Sequence, residues 1–167
     1  MQWVCAWPDQ PAYIDSFAQA IQRELSQFSE PERVHVLFSA HSIPESYVKE
    51  GDPYLEQTRR PVESIEDRLG RRNPYSLSFQ SKICPVKWLE PLTNDAIVAL
   101  AKQGVTDVLI VPISFVSEHI ETLYELDILY RKVAQDAGIR NFRRVPALNS
   151  DPAFIRALAD IVESTLK

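Results

Sequence analysis

The chain reads as an α/β protein: one doubly wound domain, residues 1–167, with a four-stranded parallel sheet in the order 2-1-3-4 flanked by helices. Three observations predict this. Four short apolar, β-rich runs alternate with segments of helical periodicity. The third run, "VTDVLIVPI", is apolar nearly throughout, as a parallel strand covered on both faces requires. A composition of 45% hydrophobic and 25% charged residues over 167 positions is that of one globular domain with a core of its own.

The elements follow in order. "PAYIDSFAQAIQRELSQF" (11–28) sets Ile14, Phe17, Ile21, Leu25 and Phe28 at helical spacing. "RVHVLFSA" (33–40) is the first strand. "DPYLEQTRRPVESIEDRLG" (52–70) is a helix with Asp52 as N-cap, Pro53 in the first turn and Gly70 at its close; Pro61 should kink or divide it. "PYSLSFQS" (74–81) alternates and is the second strand, and "NDAIVALAKQG" (94–104) is a helix ending at Gly104. After the third strand (105–113), "HIETLYELDILYRKVAQDAG" (119–138) is one long helix ending at Gly138. "NFRRVPAL" (141–148) is the fourth strand, and the helix from 151 to 167 has Asp151 as N-cap and Pro152 in its first turn.

Composition narrows the function. A net charge of −5 disfavours nucleic-acid binding. The two cysteines, Cys5 and Cys84, form no metal-type cluster; they predict a reducing compartment or plain packing roles and argue against a disulfide scaffold. No stretch approaches the ~20 apolar residues of a membrane span, and the N-terminus lacks the pattern of a signal peptide. A cytoplasmic protein, or one peripheral to a membrane surface, is expected. With only four glycines the chain holds neither G-x-G-x-x-G nor G-x-x-x-x-G-K-S, so no nucleotide cofactor is expected. It has no G-x-S-x-G elbow either.

In an open parallel sheet, ligands bind beyond the carboxyl ends of the strands. Each strand here is followed by a polar cluster. The first gives "SAHSIPESY" with His41, and the second "QSKICPVKWLEP" with Gln80, Ser81, Lys82, Lys87 and Trp88. The third gives "SFVSEHIETLYELD" with Glu118, His119, Glu121, Glu125 and Asp127, and the fourth "LNSDP" with Asn149. Each residue also has a plainer reading. His41 could serve only to bond a loop, and His35, inside the first strand, is a packing or surface residue. Glu121 and Glu125 share a helix face, which is often just solvated, and acidic groups in a first turn are stabilised by the helix dipole. Trp88 is core or an aromatic wall for a flat ligand; Lys82 and Lys87 are surface charges. Four clusters on one rim outweigh these readings taken singly. Imidazole with carboxylates suits proton removal and the handling of a borderline divalent metal such as ferrous iron.

The ordered motifs "VLFSAHSIP", "GDPY", "SFQSKICPVKWLEP", "VPISFVSEHIETLYELD" and "LNSDPAFIRALADIV" resemble the C-terminal half of the ferrochelatase family, from about Trp7 to Val162. The resemblance implies a class II chelatase-like fold and insertion of ferrous iron into a porphyrin, protoporphyrin IX or coproporphyrin III, in haem biosynthesis. Porphyrin and ferrous iron would be substrates, with no organic cofactor. It implies that His41 accepts pyrrole protons or hands over metal, and that Glu121 faces it across the porphyrin. Glu125 would continue a carboxylate path, so that His41, Glu121 and Glu125 handle the metal. Ser39, Trp88, Ser117 and His119 would contact substrate. It further implies a π-type widening of the helix that carries Glu121 and Glu125.

The chain departs from the family at three points. Leu129 stands where several relatives carry another acidic residue, Cys84 stands where glycine is usual, and no cysteine set for an iron–sulfur cluster is present. The family's N-terminal domain has no counterpart in these 167 residues. Two further readings therefore stand beside the enzyme: a half-domain that binds porphyrin or metal without inserting it, and a compact homodimeric class II chelatase. A partner N-terminal half-domain or self-association would complete the cleft.

Overall fold

In the computed structural model, which describes residues 3–82 and 85–166, the centre of the sheet is β1 (His35–His41). It pairs in parallel with β2 (Tyr75–Gln80) on one side and β3 (Asp107–Pro112) on the other, and β3 pairs in parallel with β4 (Asn141–Arg144). The order is β2-β1-β3-β4, as the sequence predicts.

Alternation along β1 decides which layer each residue joins. Val36, Phe38 and Ala40 pack with α1 (Pro11–Leu25), α3 (Tyr54–Leu69) and α6 (Pro152–Thr165), through Phe17, Ile21, Ile65 and Phe154. Leu37, from the other face, packs with α4 (Thr93–Lys102), α5 (Arg131–Ala137) and the helical segment before α5, through Ile97, Leu126 and Ala134. β3 supplies Leu109 and Val111 to the first layer and Val108 and Ile110 to the second. A strand buried on both faces must be apolar at every position, which is why its sequence does not alternate.

Local signals set the helix ends. Asp151 caps α6, accepting from the Ala153 N–H at 2.9 Å; at α3 the N-cap position falls on Pro53 rather than Asp52, whose carboxylate still accepts from the Tyr54 N–H at 2.8 Å. Gly70 and Gly138 close α3 and α5 with φ of 73° and 99°, where a side chain would be strained. Two further expectations are corrected. Pro61 does not divide α3: the helix runs unbroken with Pro61 buried beside Val62 and Ile65. That packing outweighs the one backbone bond proline cannot donate. The fourth strand ends at Arg144, not Leu148, because Val145 makes the last ladder bond, to the Ile110 carbonyl at 2.9 Å, and Pro146 has no N–H to continue it. The short helix α2 (Glu45–Lys49) and a 3-10 turn (Pro31–Arg33) carry too little periodicity to be read from sequence. Cys84, the departure from the family pattern, lies outside the described residues.

One core carboxylate stands apart. Glu66 on α3 is fully buried, and neither carboxylate oxygen has a hydrogen-bond partner among the described residues. Burial pushes its pKa up to about 7, with Arg71 opposing and Asp67 adding to the rise. The folded chain therefore keeps a proton there that the unfolded chain releases near pH 4–5. This contribution to stability is full at low pH and is lost as pH rises through about 7. Glu66→Gln should therefore gain on the parent protein by about 3 kcal/mol between pH 5 and pH 8. Urea unfolding at the two pH values measures this, and an equal difference at both would contradict it.

Candidate functional site

His41 is the last residue of β1, at the carboxyl rim of the sheet. Its backbone is held on both sides: the N–H donates to Ser114 Oγ at 2.8 Å, and the carbonyl accepts from the Tyr54 hydroxyl at 2.7 Å. Burial keeps the Tyr54 phenol above its ordinary pKa, so it stays a donor. The ring is oriented as well. Nδ1 lies 2.7 Å from the Ser42 carbonyl, which can only accept, so Nδ1 carries the proton and Nε2 the lone pair. That lone pair sits 3.6 Å from Glu121 Oε1. A proton taken up at Nε2 would meet a carboxylate already in place.

Glu121 opens a ten-residue π-helix, Glu121–Tyr130, which runs directly into α5. The widening implied by the resemblance is thus present, and the expected long helix is half π and half α. Its entry is tightly bonded. The His119 N–H donates to Thr122 Oγ1 at 3.0 Å, the reciprocal half of a capping box, and the Thr122 hydroxyl donates to Glu118 Oε2 at 2.6 Å. The Glu121 N–H donates to His119 Nδ1 at 3.2 Å. Nδ1 of His119 is therefore an acceptor, and its 3.7 Å approach to Glu121 Oε2 is proximity without an ion pair in that tautomer. Phe115 stands edge-on to both imidazoles, 4.4 Å from His119 and 6.2 Å from His41.

Arg144, at the end of β4, ties the π-helix to the sheet. Its Nε and NH2 donate to the two Asp127 carboxylate oxygens at 2.8 Å each, and NH1 donates to Glu118 Oε1 at 2.8 Å. It therefore grips the chain just before the π-helix and again seven residues into it. Burial alone would raise the Glu118 carboxyl, but bonds from Thr122, Arg144 and the Ala147 amide outweigh it and hold the group below the usual carboxylate range. Asn149 adds a further tie: its Oδ1 accepts from the Glu118 N–H at 2.9 Å.

The structure brings His41, His119 and Glu121 together at one rim. Glu125 shares the π-helix but is held by β2: its Oε2 accepts from Gln80 Nε2 at 3.0 Å and from Ser81 Oγ at 2.8 Å. Among the described residues no three His, Cys, Asp or Glu side chains form a ready-made metal cage. Ser117 is exposed near the entry to the π-helix.

Three expectations change. Ser39 is fully buried and donates to Gln80 Oε1 at 2.8 Å, so it lies beneath the rim and out of a substrate's reach. Trp88 is 9% exposed, with its backbone bridged to Pro44, which matches the core reading of that residue rather than the exposed wall. A flat ring touching both His41 and Glu121 from opposite sides would need about 7 Å between them; at 3.6 Å they form one paired group that faces a ligand together. Lys87 is a surface charge, 3.2 Å from Glu45. His35 is a packing residue, buried and bonded to Ser76 Oγ at 2.8 Å. Sequence reasoning passed over Tyr54, Ser114 and Arg144. Only Arg144, a charge at the end of an apolar run, left a local signal.

The chain is similar in sequence and in fold to known proteins. The sequence profile of the ferrochelatase family matches residues 1–166. A ferrochelatase of Picosynechococcus sp. is 52% identical over 163 residues, covering 97% of this chain and 42% of that protein. One from Synechococcus sp. is 55% identical over 164 residues, covering 98% of this chain and 48% of that protein. The chain thus spans less than half the length of the curated relatives it matches. Among solved structures, a cobalamin (vitamin B12) biosynthesis CbiX protein from Marinobacter aquaeolei shares the fold. Its TM-score is 0.56 at 17% identity, with coverage of 79% of this chain and 96% of that one.

Removing the Arg144 side chain leaves two partly buried carboxylates facing each other. Arg144→Met should cost about 3 kcal/mol of stability in urea unfolding. Arg144→Lys should recover only part of it, since an ammonium cannot replace the two-pronged contact with Asp127. Full recovery by lysine would contradict the role of that fork.

Proposed function

The chain belongs to the ferrochelatase family, and from that premise we propose that it carries the proton-accepting and metal-handling wall of a site that inserts ferrous iron into a porphyrin, protoporphyrin IX or coproporphyrin III, in haem biosynthesis. The observation that carries this reading is the His41–Glu121 pair, with the His41 lone pair at Nε2 turned toward a carboxylate 3.6 Å away.

The chemistry follows from the substrates. A free porphyrin holds two pyrrole N–H protons, and both must leave for the metal to enter. His41 Nε2 accepts a proton, and Glu121 stabilises the imidazolium that results. The leaving protons balance the two positive charges of the incoming ion, so nothing is oxidised or reduced. Iron is substrate here, held in passing, which suits a site with imidazole and carboxylates but, among the described residues, no closed cage. His119 and Ser117 belong to the surroundings of this pair, with Glu125 further along the π-helix as a second metal-handling carboxylate. The chain's two cysteines are too few to ligate an iron–sulfur cluster by themselves. No helix among the described residues is long and apolar enough to cross a membrane. A cytoplasmic setting, in solution or at a membrane surface, belongs to the same proposal.

A second reading is favoured by one observation, the chain's coverage of less than half of its relatives' length. In that reading the domain binds porphyrin or metal and needs another half, a separate N-terminal domain or a second copy, to complete insertion.

The test is anaerobic conversion of protoporphyrin IX or coproporphyrin III by the purified chain with ferrous iron, followed by porphyrin absorbance. Insertion above background is expected, falling by about 100-fold or more in His41→Ala. Equal rates in the two proteins would contradict the role of His41. Porphyrin binding without conversion in the parent would select the second reading.

A further inference from the structure

We propose that Gln80 is the positioning residue of this site: its side-chain amide fixes the Glu125 carboxylate and holds the wide helical turn that carries Glu121. The proposal deepens the metal-handling reading above and rests on it.

Gln80 ends β2 and is 1% exposed. An amide has two N–H donors, and the Gln80 nitrogen reaches two acceptors on the π-helix. Nε2 lies 3.0 Å from Glu125 Oε2 and 3.2 Å from the Glu121 carbonyl. One side chain thus spans from the first carbonyl of the π-helix to a carboxylate four residues on. The amide is itself oriented from below. Its Oε1 accepts from Ser39 Oγ at 2.8 Å, Ser39 is 2.9 Å from Thr93 Oγ1, and Thr93 is 3.0 Å from Ser78 Oγ. Ser39, Ser78 and Thr93 are completely buried between the sheet and the helices. Turning the amide over would set its oxygen against a carboxylate and a carbonyl, both acceptors, so one orientation is strongly favoured.

Ser81 completes the cradle. It donates to the same Glu125 oxygen at 2.8 Å and holds φ of 67°, a region unusual for a residue with a side chain and typical of functional sites. Burial, and the charge of Glu125 beside it, hold the Tyr130 phenol protonated. With Oε2 taken by two donors and no hydrogen bond to Oε1 among the described residues, Oε1 is the Glu125 atom offered to a metal ion. β2 therefore decides which oxygen of Glu125 is offered.

The test compares the parent chain with Gln80→Met, which keeps the length of the side chain and removes its donors. Two quantities are read: amide hydrogen exchange by mass spectrometry, and binding of Co2+ alone, followed by its d–d absorption. Exchange across residues 121–130 should accelerate by about tenfold or more while α1 and α3 stay as in the parent. The Co2+ affinity should weaken by about 10- to 100-fold, with a changed absorption band. Ser39→Ala, which removes only the support beneath the amide, should move both readings the same way by less. It decides the question if Gln80→Met does not fold. Unchanged exchange across 121–130 in the substituted proteins overturns the proposal. So does acceleration spread evenly over the chain, which would make Gln80 an ordinary core residue. If the parent binds no Co2+, the metal-handling reading fails and the exchange result alone decides the placement of the turn.

Discussion

Ten residues of π geometry are a long run of a form that usually appears as a single widened turn, and frequently at functional sites. Such a segment needs support from its surroundings, and this protein supplies it from three strands. Arg144 of β4 grips Asp127 and Glu118, Gln80 of β2 takes the Glu121 carbonyl, and Leu126 and Tyr130 are buried in the second core layer beside Leu37 of β1. The positions of Glu121 and Glu125 both depend on that support. A relaxed α-helix would rotate the two carboxylates relative to the sheet and to His41.

The sheet meets the same demand from the other side. His41 sits at the end of a strand paired on both edges, with its N–H and carbonyl each bonded to a side chain from a different segment. The Ser42 carbonyl then orients the ring. An imidazole whose backbone, ring and tautomer are all set in advance needs little rearrangement in the proton-accepting role proposed for it. The polar chain from Ser78 to Gln80 is buried at a cost met only because its members bond one another.

The arrangement is also one-sided. Every group described at the rim belongs to this one α/β domain, and His41 and Glu121 stand together rather than across a gap. Along the π-helix, Leu123, Tyr124, Ile128 and Leu129 are exposed, as is Ile120 just before it. An exposed apolar surface thus lies on the same helix as the paired rim groups.

Much of the architecture is legible in the sequence because it rests on short-range physics. Apolar periodicity marked the four strands and the main helices, Asp151 and Gly70 marked ends, and the parallel sheet explains why polar clusters follow each strand. His41 and Glu121 could be named from their motifs. What lay out of reach depends on partners distant in the chain. Ser39 reads as a rim hydroxyl until Gln80, 41 residues away, accepts its hydrogen bond. Trp88 reads as a wall until the fold buries it. Pro61 reads as a kink or a break, yet α3 runs through it as one helix with the proline buried. Sequence by itself determined the layers, the order of elements and the residue types at the rim, since these follow from local propensity and burial. Tertiary structure alone decided which of those groups meet, at what distance and in which tautomer, because hydrogen bonds between separate strands and helices set atoms that no local pattern encodes.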